Sequence, residues 1–349
     1  MYYAYCLFLY YVRKNTVFVN YIKALLSVSL LVFVSLIVLF SDSIRTKFVR
    51  LFILALVLWS LSYVCSLPVM LATRNAYALP VFQMNMPRYE DYTLALYFPV
   101  TPGFGRISIG PFQFLRLTGL FRECGIAQLF YIWAISEVEY YFKNPKWIKR
   151  LLVLGLLFCF STMGYVNLVI WMCAKLFLNM KNSMDKKSFR RNLLLILYLV
   201  IFVIAFANIP GIRIADKAKV SFNARFGGYM EIFELFKSNP LFGTDSFVEN
   251  SSSGLFQMIY QIGLVGLILY YSIILFAFFH AQNKKRFILA NLAGIITLTI
   301  SQPIWDAPLL FLLWAMPYKE RESISEKNSI FIRRFSKKRR DRTSYVNSV

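Results

Sequence analysis

Arginine is the side chain in this sequence best placed to do chemistry. The stretch 68–124 carries Arg74, Arg88, Arg106, Arg116 and Arg122, and the stretch 210–254 carries Arg213 and Arg225 with Lys217, Lys219 and Lys237. Carboxylates accompany them: Glu90, Asp91 and Glu123 in the first, Asp216, Glu231, Glu234, Asp245 and Glu249 in the second. A guanidinium is a planar fork that matches phosphate bidentately and stays charged. At an effective dielectric of ~20, one charge pair at ~4 Å is worth about 4 kcal/mol before desolvation. Two arginines closing on a diphosphate would therefore dominate the binding of a lipid-diphosphate headgroup. The same arginines also have an ordinary use, pairing with neighbouring carboxylates or lipid phosphates. Tyr89, Tyr92, Tyr97, Phe98, Phe112 and Phe114 could stack on sugar faces or simply occupy a membrane interface.

Other chemistries lack their residues. The single histidine, His280, sits beside Asn283-Lys284-Lys285-Arg286 and reads as a solvated interfacial residue. Of the five cysteines, all but Cys124 lie inside apolar runs, and there is no C-x-x-C pair. A zinc site or a histidine-based hydrolase site therefore has no usual ligand set. A net charge of +22 raises the question of nucleic acid. The basic residues, however, fall in short blocks between apolar runs and in the C-terminal tail, as on the cytoplasmic side of a membrane protein. No basic groove interleaved with aromatics is evident, so nucleic acid is not expected as a partner.

The elements that must position these arginines are membrane segments. The chain of 349 residues is 58% hydrophobic with a mean hydropathy of +0.55, above the ~45–50% of soluble domains. Apolar runs of spanning length, or near its lower limit of about 17 residues, cover Tyr21–Phe40, Phe48–Leu67, Gly125–Phe142, Trp147–Ser161, Tyr165–Met180, Asn192–Ile209, Leu255–Phe279, Phe287–Ser301 and Ile304–Tyr318. The predicted fold is all-α, a polytopic membrane helix bundle of about ten segments with two large extracytoplasmic loops. Its divisions are 1–67 and 125–209 in the membrane, 68–124 and 210–254 as outer loops, 255–318 in the membrane, and a basic cytoplasmic tail at 319–349. The blocks Lys143–Arg150, Lys181–Arg191, Lys284–Arg286 and Arg333–Arg342 share the cytoplasmic side only if 147–180 is a hairpin turning at Ser161–Gly164. In this arrangement both termini are cytoplasmic, while Arg13, Lys14 and Lys23 fall outside against the charge rule. No cleavable signal peptide is expected, because the first strong apolar run leads directly into others. The basic tail suits anionic lipid at the cytoplasmic face.

Three local patterns occur in order. The first is Arg116-Leu-Thr-Gly119-Leu-Phe-Arg122-Glu123-Cys-Gly125 just before a span, similar to a run R-x-x-G-x-F-x-E-P-G with Cys124 in the proline position. The second is the small-residue break Ser161-Thr-Met-Gly164. The third runs from Arg225-Phe226 through Phe233 to Asn239-Pro240-Leu241-Phe242-Gly243, then to Gly254 and a span with Gly263-Leu-Val-Gly266. Together, across roughly 87–318, they resemble the bacterial O-antigen polymerase and ligase superfamily, whose polymerase members are called Wzy-type. Two departures stand out. Ligase members carry a histidine shortly before the G-L-x-G span, where this chain has Glu249-Asn-Ser-Ser-Ser-Gly254, and Thr244-Asp245 follows Gly243 where a second glycine is frequent.

The resemblance implies a membrane glycosyltransferase of the GT-C type in the bacterial cytoplasmic membrane. It would polymerise undecaprenyl-diphosphate-linked repeat units into O-antigen or capsule at the outer face. It assigns the departing diphosphate to Arg225 and Arg122, with Arg116 in support. Glu123 and Glu231 are candidates to orient or deprotonate the attacking hydroxyl, and Glu123 would equally suit a helix start. Arg213, Asn239 and Glu249 are further substrate contacts. Metal and cofactor are not expected. The implied partners are the lipid-linked glycans, membrane lipids and a polysaccharide chain-length regulator. A lipid-linked oligosaccharide flippase is the alternative from another class; it needs a polar or cationic cavity among the helices. Loss of a flippase removes surface glycan altogether, whereas loss of a polymerase leaves single repeats. An O-antigen ligase and a non-catalytic envelope scaffold are the remaining rivals.

Overall fold

The computed structural model describes residues 4–5, 8–9, 18–76, 80–86, 89–97, 101–119, 121, 123–180, 190–191, 193–194, 196–198, 200–201, 222–223, 226–244, 248, 253–302 and 308–319. These are mostly helical. In chain order they form α1 (Phe18–Phe40), α2 (Asp42–Thr73), strands β1 (Pro80–Met86), β2 (Tyr89–Tyr97), β3 (Thr101–Ile109) and β4 (Phe112–Leu117), and α3 (Cys124–Tyr141). There follow α4 (Pro145–Phe158), α5 (Thr162–Met180), α6 (Tyr229–Ser238), α7 (Gly254–Gln261), α8 (Gly263–His280), α9 (Lys284–Ile296), a π-turn (Thr297–Ser301) and α10 (Pro308–Trp314). Among the described residues two helices, α2 and α8, are long and apolar enough to cross a membrane. The expected segment 192–209 and the basic tail from 320 onward lie wholly or largely outside the described residues.

Helix α3 is the axis of the helical body. It is buried without interruption from Cys124 through Ile135, the signature of a helix surrounded by others. Helices α2, α4, α5 and α9 pack around it. Where α4 crosses, a side chain at Gly155 would meet Ser60 Oγ and the Tyr131 ring, so a small residue is required for the close approach. Helix α8 is the opposite case. Its buried residues Gly263, Gly266, Tyr270 and Ile274 form one stripe, and the other flanks are open.

The chain reverses at Cys159–Ser161, where Phe160 has φ of 45°. Phe160 lies against Phe114 of β4, while Lys149 of α4 pairs with Glu139 near the far end of α3. The hairpin expected over 147–180 is therefore present and sets the block Lys143–Arg150 at one end of the body, while residues 181–189 of the second flanking block lie outside the described residues. Arg286, Lys319 and Arg45 share that end; we call it the basic end, and the opposite one the sheet end.

Two expectations are corrected. The chain is not all-α: residues 80–117 form a four-stranded antiparallel sheet in the order β1-β2-β3-β4. The turn at Gly110, with φ of 58°, closes β3 onto β4 with Ile109 opposite Phe112. The sheet is pinned to the helices by the Tyr63 hydroxyl, which donates to the Leu115 carbonyl at 2.6 Å, and by Trp59, which covers Gly119. The stretch expected as loop from residue 68 also begins later, because α2 continues through Pro68 to Thr73. The Ser66 hydroxyl is buried just before this proline and bonds back to the Ser62 carbonyl one turn earlier.

Candidate functional site

Arg116 is placed by β4. Its Nη2 donates to the Phe160 carbonyl at 3.0 Å, across the helical reversal. Its Nε is buried and makes no hydrogen bond among the described residues. A buried donor without an acceptor costs about 1–3 kcal/mol, so this guanidinium is half-committed to structure and half-open. Glu123 stands at the N-cap of α3. The cap is made by its backbone carbonyl, which accepts from Ile126 and Ala127 at 3.0 Å, and its carboxylate does not cap the helix. Glu123 is thus at the helix start expected for it, without a side-chain cap hydrogen bond.

The second outer stretch is brought to the same place by glycines. A Cβ built on Gly125 would lie 2.8 Å from Gln302 Nε2, and one on Gly254 would lie 1.7 Å from the Leu298 carbonyl and 2.7 Å from that of Gln302. The end of the π-turn is therefore clamped between the start of α3 and the start of α7, and Ser253 Oγ adds a bond to the Thr299 carbonyl. This clamp joins the exits of the stretches 68–124 and 210–254.

One turn deeper the clamp rests on buried amides. Gln128 Nε2 donates to the Gly125 carbonyl at 3.0 Å and to Thr297 Oγ1 at 2.8 Å. Asn167 Nδ2 donates to the same hydroxyl at 2.7 Å and more weakly to Gln128 Oε1. Both amide nitrogens are used up, whereas Asn167 Oδ1 is buried with no donor among the described residues. The π-turn supplies Thr297 and ends at Gln302, an irregularity frequent at functional sites.

The Asn239–Gly243 motif has a visible structural use. Pro240 and Leu241 offer their carbonyls to the amides of Leu264 and Val265, at 2.9 and 3.2 Å. The segment thus satisfies the first-turn donors of α8, which have no partner inside the helix. Gly243 and Gly263 both have positive φ and face backbone atoms so closely that no side chain fits. Asn239 accepts from the Phe242 amide at 3.4 Å, a local turn, and Glu231 is exposed in the first turn of α6. Arg116, Glu123, Asn239 and Glu231 all belong to elements at the sheet end; no hydrogen bond or ion pair described here links the first two to the last two. Arg122, Arg213, Arg225 and Glu249 lie outside the described residues. Among the described residues no group of three or more histidine, cysteine, aspartate or glutamate side chains could hold a metal.

Sequence reasoning passed over Gln128, Asn167, Thr297 and Gln302. The signal was available, since isolated amides inside apolar runs are expensive in a membrane and call for partners. It also passed over the pairing of Glu137 with Arg286. That pair is buried at the basic end, with Arg286 Nε 3.0 Å from Glu137 Oε1 and the guanidinium over the Tyr140 ring. His280 is exposed, stacked on Phe276. Compared with family models, curated proteins and solved structures, the chain matches none.

Proposed function

We propose that this chain is a multi-pass glycosyltransferase of the bacterial cytoplasmic membrane, with about ten membrane segments. In this reading it polymerises polyprenyl-diphosphate-linked repeat units at the outer face, and the sheet end is extracytoplasmic. The observation that carries the reading is the clamp of Gln302 between Gly125 and Gly254. It supports a shared site because it joins the two stretches whose arginines suit a diphosphate. Arg116 at the same end adds a guanidinium whose Nε is buried and makes no hydrogen bond among the described residues. Concentration of cations at the opposite end agrees with that end being cytoplasmic.

In this reading the hydroxyl oxygen of the incoming repeat forms a bond to the anomeric carbon of the growing glycan. The bond from that carbon to the carrier diphosphate breaks, and the diphosphate leaves with the electron pair. The hydroxyl proton passes to a carboxylate, Glu123 or Glu231. Arg225 and Arg122, supported by Arg116, hold the negative charge that develops on the leaving group; Arg213, Asn239 and Glu249 contact the substrate. The test is Arg225→Ala in cells that display the polymer. Long-chain glycan disappears and single repeats remain, with the protein present at its normal level. Long chains of normal length would remove the leaving-group role. Arg225→Lys loses most activity too, because an ammonium offers a point charge and no fork.

A further inference from the structure

Helix α6 is divided lengthwise into three sectors, each roughly 120° from the next at 100° per residue. The first faces the protein: Ile232 is 4% exposed and packs with Val248 and Tyr260, flanked by Leu235 and Phe256. The second carries Glu231, Glu234 and Ser238, all exposed. The third carries Tyr229, Met230 and Phe233, which are 57%, 63% and 53% exposed. Lys237 lies in the third sector one turn past Phe233, its ammonium 4.4 Å from the Phe233 ring centroid and 2.9 Å from Glu234. A surface helix of a soluble protein needs only a buried face and a solvated one. A third face of large apolar side chains needs a third medium.

Continuity identifies that medium. Past α6 the chain seats Pro240 and Leu241 on the first turn of α8, leaving Leu241 and Phe242 exposed. Next to them α8 presents Leu264 and Ile268, then Leu275, Phe276 and Phe279, all exposed along one flank. Helix α8 is apolar and long enough to cross a membrane, so its open flank is the surface that lipid covers. Leu241 and Phe242, which follow α6 directly in the chain, carry apolar exposure from its end to that flank. A lysine beside an exposed aromatic ring is suited to reach lipid phosphates from such a position, its long stem letting the ammonium move from Phe233 and Glu234 to the headgroups.

We propose that α6 lies in the lipid–water boundary at the sheet end. Tyr229, Met230 and Phe233 enter the acyl region, Lys237 sits at the phosphates, and Glu231 and Glu234 face water. The occupant of the third sector is the bilayer itself, and its surface sets the height at which Glu231 is held. This inference rests on the membrane placement of α8 proposed above.

The test uses the full chain with Cys6, Cys65 and Cys173 replaced by serine, reconstituted in vesicles of phosphatidylethanolamine and phosphatidylglycerol. Single nitroxide labels are introduced at positions 230, 233, 231, 234 and 268, with 229 replacing 233 if that variant does not fold. The ratio of collisions with oxygen to those with a nickel chelate is then measured. The ratio at 230 and 233 should exceed that at 231 and 234 several-fold, with 268 higher still. A high ratio at 268 with equal, water-like ratios at 233 and 234 overturns the α6 proposal alone. Exclusion of both reagents at 230 and 233 overturns it too, because protein would then cover the sector. A water-like ratio at 268 removes the membrane placement of α8 itself.

Discussion

The two ends of the helical body treat their polar groups in opposite ways. At the basic end, Arg286 gives its hydrogen bonds to Glu137 and to the Lys319 carbonyl at 2.6 Å, with Tyr140 beneath the guanidinium. Lys319 reaches on to Asp42, and Asp42 to Arg45. Helices α2, α3 and α9 and the segment after α10 are tied there by groups that satisfy one another. At the sheet end glycine contacts and neutral hydrogen bonds make the ties, while Arg116 Nε and Asn167 Oδ1 are buried without hydrogen bonds among the described residues. A closed network rigidifies, and an open one carries an unmet cost that a ligand can relieve. On the function proposed above, the contrast places stability at one end and recognition at the other.

The sharpest way to break this comparison is Glu137→Gln. It leaves a buried guanidinium facing a neutral amide, and losing one member of a buried pair costs about 3–5 kcal/mol. Denaturant unfolding of purified protein should show that loss, and the double variant Glu137→Leu with Arg286→Met should recover much of it. Parental stability in the single variant would mean the basic end is not the structural anchor. Gly254→Ala comes next. The Leu298 carbonyl, 1.7 Å from the new methyl, is backbone and cannot rotate away, so the clamp must open at about 1–3 kcal/mol. Polymer length on the cell surface should collapse by far more than that modest destabilisation explains. Normal polymer in this variant would detach the clamp from function.

The sequence announces the helices and their ends better than what joins them. The blocks Lys143–Arg150 and Lys284–Arg286 flank apolar runs and fall at the basic end, and the small-residue break near Ser161 marks the reversal. The sheet was legible in principle: Arg106-Ile-Ser-Ile alternates, Gly110-Pro111 breaks, and Phe112-Gln-Phe and Leu115-Arg-Leu each alternate, with a change of phase between them. Charged residues and aromatics made the stretch read as loop. The clamp could not be read at all, because Gly125, Gly254 and Gln302 are far apart in sequence and their glycines look like those of any turn. The amides were visible but not their partnership, since Gln128 and Asn167 lie on different helices and share Thr297 of the π-turn.

Thr297→Val tests that partnership on a smaller scale. The valine keeps the shape but removes the acceptor shared by Gln128 Nε2 and Asn167 Nδ2, stranding two donors at about 1–3 kcal/mol. Thr297→Ser should stay close to the parent, so the pair of variants separates lost hydrogen bonding from lost packing. The smallest effect belongs to Lys319→Ala. Lys319 is on the same ionic path as Glu137, yet its side chain is 49% exposed and that of its partner Asp42 68%. Exposed pairs contribute about 0–1 kcal/mol and fade with salt. Unfolding in low and high salt should therefore separate Lys319→Ala from the parent only slightly at low salt and not at all at high salt. A loss comparable to that of Glu137→Gln would show that the basic end is held by charge at any depth, and burial would then no longer distinguish it from the sheet end.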